Sequence, residues 1–100
     1  MLRRYELIRG EAVLGVVIFD PNRSDFPWLA GRLEPSPTYA EVEPLFAELS
    51  RLERDELTDE SDALHEAVMA PGVEMRSLPD GELSEVVGIS IDGYRVSWRI

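Results

Sequence analysis

The chain has 100 residues, 44% hydrophobic and 30% charged, a composition that matches a single folded domain, residues 1–100, with one core. Twenty acidic residues stand against ten basic ones, all arginine, and the net charge of −10 disfavours sequence-independent binding to nucleic acid or to an anionic membrane, because no basic surplus is present to displace counterions. Cysteine is absent, which excludes disulfides, thiolate nucleophiles and cysteine-based zinc or iron–sulfur centres.

The opening Met1-Leu2-Arg3-Arg4-Tyr5-Glu6 carries basic residues but no apolar signal-peptide core. The longest apolar stretch, Ala12 to Phe19, falls short of the roughly 20 residues a membrane helix needs, so a soluble cytoplasmic protein is expected. Arg4 to Arg9 and Ala12 to Phe19 read as a hairpin through Gly10-Glu11, a Gly-X pair suited to a type II′ turn. Pairing Arg9 with Ala12 sets Leu7 opposite Leu14 and Tyr5 opposite Val16. The reverse face of the second strand, Val13, Val17 and Phe19, is apolar as well, which predicts a strand that is central or covered on both faces rather than an exposed edge. Asp20 to Asp25 is a polar loop, and Phe26 to Glu34 reads as a third strand closed by Pro35-Ser36-Pro37.

Thr38 and Glu41 have capping-box spacing, and Tyr39, Val42, Leu45, Phe46, Leu49 and Leu52 form one apolar helical stripe. Pro44 either kinks this helix or starts its regular part. A second helix is predicted from Thr58 or Asp59 to Ala70, stopped by Pro71-Gly72. Val73 to Leu78 reads as a short strand and Pro79-Asp80-Gly81 as a turn. In the tail, Asp92-Gly93 predicts a type I′ hairpin with Ile91 opposite Tyr94, Ile89 opposite Val96 and Val87 opposite Trp98, all six on one apolar face.

Candidate sites are few. His65, the one histidine, could act as a base or ligand, but a solvated helix position accounts for it more simply. Glu53, Asp55, Glu56, Asp59, Glu60, Asp62 and Glu66 form a dense acidic run without the glycine turn or terminal glutamate of an EF-hand loop; Glu56, Asp59 and Glu60 are its candidate contacts for a basic protein, against an ordinary solvated surface. In Asp25-Phe26-Pro27-Trp28 two large aromatics flank a proline. Exposed, Phe26 and Trp28 would form a binding hot spot with Asp25. Buried, they would cap the core, which a domain short of core material favours. The glycines match neither a dinucleotide fingerprint nor a P-loop, and Ser24 and Ser36 lack a nucleophile-elbow context. No catalytic residue, metal ligand or cofactor is assigned.

Tyr5-Glu6-Leu7, Val13-Leu14-Gly15, Phe26-Pro27-Trp28 with Gly31-Arg32, Pro35-Ser36-Pro37-Thr38-Tyr39 with Pro44-Leu45-Phe46, and Ile91-Asp92-Gly93 together resemble small bacterial proteins of unknown function, often from GC-rich actinobacteria. The resemblance implies a bacterial origin and carries no activity or site residues with it.

The expected architecture is α+β: an antiparallel sheet of five or six strands, in the order β-β-β-α-α-β-β-β, with two helices packed on one face. The expected function is a non-enzymatic acidic interaction module, of immunity or antitoxin type, that binds a basic protein. A small-ligand-binding or enzyme-accessory domain built on Phe26 to Trp28 is the alternative, and an enzyme using paired carboxylates a third. An unpaired edge strand would allow homodimerisation.

Overall fold

Glycine turns and proline breaks cut the chain into the elements its hydrophobic periodicity marks. A computed structural model describes residues 3–100; Met1 and Leu2 of the opening stretch lie outside the described residues. The order is β1 (Arg4–Arg9), β2 (Ala12–Phe19), β3 (Leu29–Pro35), a 3-10 turn (Pro37–Glu41), α1 (Glu43–Arg54), α2 (Thr58–Met69), β4 (Val73–Leu78), β5 (Leu83–Glu85), β6 (Gly88–Asp92) and β7 (Arg95–Arg99). The fold is α+β with two helices and an antiparallel sheet, but the sheet has seven strands in the order β5-β4-β1-β2-β3-β7-β6 instead of five or six. The additional strand is β5, three residues whose sequence carries no alternation long enough to read.

This sheet is curled. If flat, seven strands at about 4.8 Å spacing would set β5 and β6 about 29 Å apart. Yet only Val86 and Val87 separate these two strands, a span of at most about 11 Å from Glu85 to Gly88. The two residues bridge both edges: Val86 N–H donates to Val73 O of β4 at 2.9 Å and Val87 N–H to Arg99 O of β7 at 2.8 Å. The sheet therefore bends round until its margins meet. Tyr5 on β1 and Trp98 on β7, three strands apart in the ladder, bring their rings to 6.1 Å across the enclosed interior.

The interior holds Leu7, Leu14, Val17, Leu33, Met75, Ile89, Ile91, Val96 and Trp98, all buried. Two glycines permit the curvature. A Cβ on Gly15, which has φ +153, would strike the Glu34 carbonyl, and one on Gly31 would strike the Ile18 carbonyl. Gly15 also sits at a bulge. Arg9 pairs with Ala12 and Ile8 with Val13 as expected, but the register then shifts, setting Leu7 opposite Gly15 and Tyr5 opposite Val17 instead of Leu14 and Val16. The extra residue lets Leu14 and Val17, three apart in sequence, both enter the core while Val16 turns outward.

The tail hairpin also departs from its expected register. Gly93 and Tyr94 form the turn, and Ile91 pairs with Val96 and Ile89 with Trp98. Gly93 at φ +62 in the first central position is the type II′ arrangement. The two-residue offset keeps Ile89, Ile91, Val96 and Trp98 facing inward but leaves Tyr94 and Val87 exposed, at 55% and 57%.

Between β3 and β4 the helices close the interior from the β6 side. The regular helix begins at Glu43 with Pro44 in its first turn, and Thr38 falls in the 3-10 turn without capping through its side chain. Phe46, Leu49 and Leu52 of α1 and Val68 of α2 are buried. Ser50 Oγ donates to Ile91 O at 2.7 Å and Ile89 N–H donates to His65 Nε2 at 3.3 Å, so one outward carbonyl and one outward N–H of β6 are taken up by helix side chains. Arg9, from the end of β1, donates through Nε to Val68 O at 2.9 Å and through its terminal nitrogen to Ala67 O at 3.2 Å, satisfying carbonyls at the end of α2.

Candidate functional site

The segment between β2 and β3 is built by its short polar side chains. Asp20 Oδ1 accepts from Asn22 N–H at 3.0 Å, Ser24 Oγ donates to Asp20 O at 2.9 Å, and Ala30 N–H donates to Ser24 Oγ at 3.0 Å. Asp25 and Trp28 then exchange both backbone hydrogen bonds, at 2.9 and 2.8 Å, around a cis Phe26–Pro27 peptide. The ladder of β3 consequently starts at Leu29, not Phe26, since Pro27 has no N–H to contribute.

This tight turn decides where the aromatics go. Phe26 stands at its tip, 93% exposed, and Trp28 is 41% exposed, so neither caps the core as the core-poor composition favoured. Trp28 lies across the outside of the sheet over Gly88, where an added Cβ would be 3.1 Å from its ring. Asp25 is exposed beside them.

Beneath the same loop, on the outer face of β2, β3 and β7, lies a cavity of about 680 Å³ lined by Ile18, Ala30, Ser97, Asp20, Arg23, Arg32 and Arg95, among others. Arg32 and Arg95 are directly opposite each other in the β3–β7 ladder. Arg23 pairs with Asp20 at 3.5 Å, and Arg32 approaches Glu34 at 3.9 Å. None of these arginines was legible as a group in the sequence. Each sits at an outward strand or loop position, but only the adjacency of β3 and β7 brings Arg32 and Arg95 together.

The acidic residues lie elsewhere. Glu56, Asp59 and Glu60 are all exposed at the α1–α2 connection. Leu57 N–H donates to Leu52 O at 3.0 Å and Glu56 N–H to Glu53 O at 3.2 Å, a Schellman cap with Glu56 in the left-handed region at φ 58. Asp59 and Glu60 occupy the first turn of α2, where negative charge suits the helix dipole. The C-terminal half of α1 flanks β6: Ser90 Oγ donates to Glu53 Oε1 at 3.3 Å and Arg54 pairs with Asp92 at 3.3 Å. Trp28 on Gly88 and Glu53 on Ser90 thus rest on the same strand, two residues apart.

Among the described residues no group of three or more carboxylate or imidazole side chains gathers where it could hold a metal ion, and no helix is long and apolar enough to cross a membrane. His65 is half-buried and accepts the Ile89 N–H, a structural post rather than the solvated position expected of it. Tyr39 is buried, and burial foremost, then the Glu43 carboxylate and Tyr94, pushes its phenol up to about 12. Comparison with protein-family models, with curated proteins and with solved structures returns no match.

Proposed function

We propose that this protein is a non-enzymatic docking module that binds a basic partner protein, with Phe26 and Trp28 as its apolar anchors. The observation that carries this reading is the exposure of Phe26, 93%, on a loop held by its own backbone and side-chain hydrogen bonds. A large aromatic kept in water by a rigid turn contributes nothing to the core, and such residues dominate binding energy where a partner covers them. The acidic connection at Glu56, Asp59 and Glu60 supplies a field that attracts a basic surface and speeds encounter. Small-ligand binding beside the same loop is a second reading, favoured by the cavity under it.

The test is affinity capture with the wild-type chain and with the double variant Phe26→Ser, Trp28→Ala, after confirming equal thermal midpoints. A basic protein held by the wild type, lost from the variant and released as salt rises supports the reading. Equal capture by both chains would overturn it.

A further inference from the structure

Arg32 and Arg95 face each other across neighbouring strands and both line the cavity under the Asp20 to Trp28 loop. Like charges set directly opposite in a ladder destabilise a sheet. Arg4 continues the row beyond Ile18, so three guanidinium side chains start from one line across the outer face of a chain with twenty acidic residues. The carboxylates nearby are already engaged: Asp20 with Arg23 at 3.5 Å, Glu34 with Arg32 at 3.9 Å, and Asp92, opposite Arg95 on its other side, with Arg54 at 3.3 Å. Of the lining side chains, Arg23 is paired with Asp20 and Arg32 with Glu34 just outside the lining, which leaves Arg95 as a local surplus of +1 in a chain of net −10. Local arrangements that cost stability without structural return are characteristic of functional sites.

We propose that this cavity binds a phosphate monoester carried on a small apolar body. At neutral pH such an ester bears a charge of about −1.5 to −2, enough to draw Arg32 from its long 3.9 Å contact with Glu34 and join it to Arg95, and guanidinium forks bind its oxygens in pairs. The Ser97 hydroxyl is a further donor, and Ile18 and Ala30 offer an apolar floor for the body of the ligand. The volume of about 680 Å³ suits a small molecule. The site is independent of the docking anchors, since neither Phe26 nor Trp28 is among its lining residues.

Isothermal titration calorimetry with phenyl phosphate, inorganic phosphate and benzoate tests the assignment. Phenyl phosphate should bind at one site per chain, more weakly as salt rises, with inorganic phosphate weaker for want of an apolar body and benzoate weaker for want of the second charge. Arg95→Gln and Arg32→Gln should each reduce phenyl phosphate affinity about tenfold, the loss expected of a charged hydrogen-bond donor. Both should leave the thermal midpoint unchanged or raised, because the like-charge pair is relieved. Phe26→Ser should leave phenyl phosphate binding intact while abolishing partner capture. No saturable heat with phenyl phosphate, undiminished binding by Arg95→Gln, or benzoate binding as tightly as phenyl phosphate would each overturn the proposal. A lowered midpoint in Arg95→Gln would also overturn it by assigning that arginine to the fold.

Discussion

Tyr39 should make stability fall steeply in alkali. Its phenol is raised from 10.0 to about 12, burial being the first cause and the charges of Glu43 and Tyr94 the next. Below pH 10 the folded and unfolded chains both hold the proton, and the full contribution is present. Between pH 10 and pH 12 the unfolded chain releases it while the folded chain keeps it, so stability is lost as pH climbs through that window. One proton difference is worth about 1.36 kcal/mol per pH unit, which gives a loss of about 2 to 3 kcal/mol by the upper end. The chain contains no lysine and no cysteine, and comparison with a variant that lacks only the Tyr39 phenol cancels the contribution of the other two tyrosines. Urea unfolding of the wild type and of Tyr39→Phe across the window is the assay. The variant retains the ring that packs 6.1 Å from Phe46 and drops only the phenol. The two stability curves should diverge above pH 10 and differ in slope by one proton. Parallel curves would show that Tyr39 is not the linked group, and the burial account of its shift would fail.

Glu56→Gly should stabilise the protein by about 1 kcal/mol in the same assay, because a side chain at φ 58 carries strain that glycine relieves at the cap of α1. Arg9→Ala should lower stability by about 1 to 2 kcal/mol and loosen the end of α2, visible as faster amide exchange near Ala70, since its guanidinium is bonded to the Val68 and Ala67 carbonyls. Gly31→Ala should cost at least about 3 kcal/mol or prevent folding, as its methyl group would meet the Ile18 backbone, which cannot move aside like a side chain; a soluble variant with an unchanged midpoint would contradict the close approach of β2 and β3.

Periodicity made the helices and most strands readable. The stripe from Tyr39 to Leu52, divided between the 3-10 turn and α1, places Tyr39, Phe46, Leu49 and Leu52 in the buried interior with Val42 and Leu45 half-buried, and the alternation of Ile89, Ile91, Val96 and Trp98 places the inward residues of the tail. Departures arise where one local signal meets a longer-range demand. Asp92-Gly93 favours a turn centred on both residues, yet moving the turn to Gly93-Tyr94 keeps four of the six expected side chains inward, releases Val87 and Tyr94 to the surface and places Asp92 opposite Arg95. The Leu14 bulge answers the curl of the whole sheet, which no pair of strands announces alone. Phe26 and Trp28 look like core material by composition, and only the reciprocal Asp25 and Trp28 backbone bonds reveal a turn that holds them outside. The arginine-lined cavity needed strand order, which the sequence does not encode locally.

Joining the sheet's two margins through Val86 and Val87 also protects the molecule from its own strands. On one margin, β6, the Ile91 carbonyl is held by Ser50 and the Ile89 N–H by His65, so a second copy would have to displace these helix side chains to pair along its full length. The other, β5, offers three residues, too brief a template to seed stacking. Among the described residues, a seven-stranded sheet thereby keeps only short or partly occupied selvedges from which fibrils could grow.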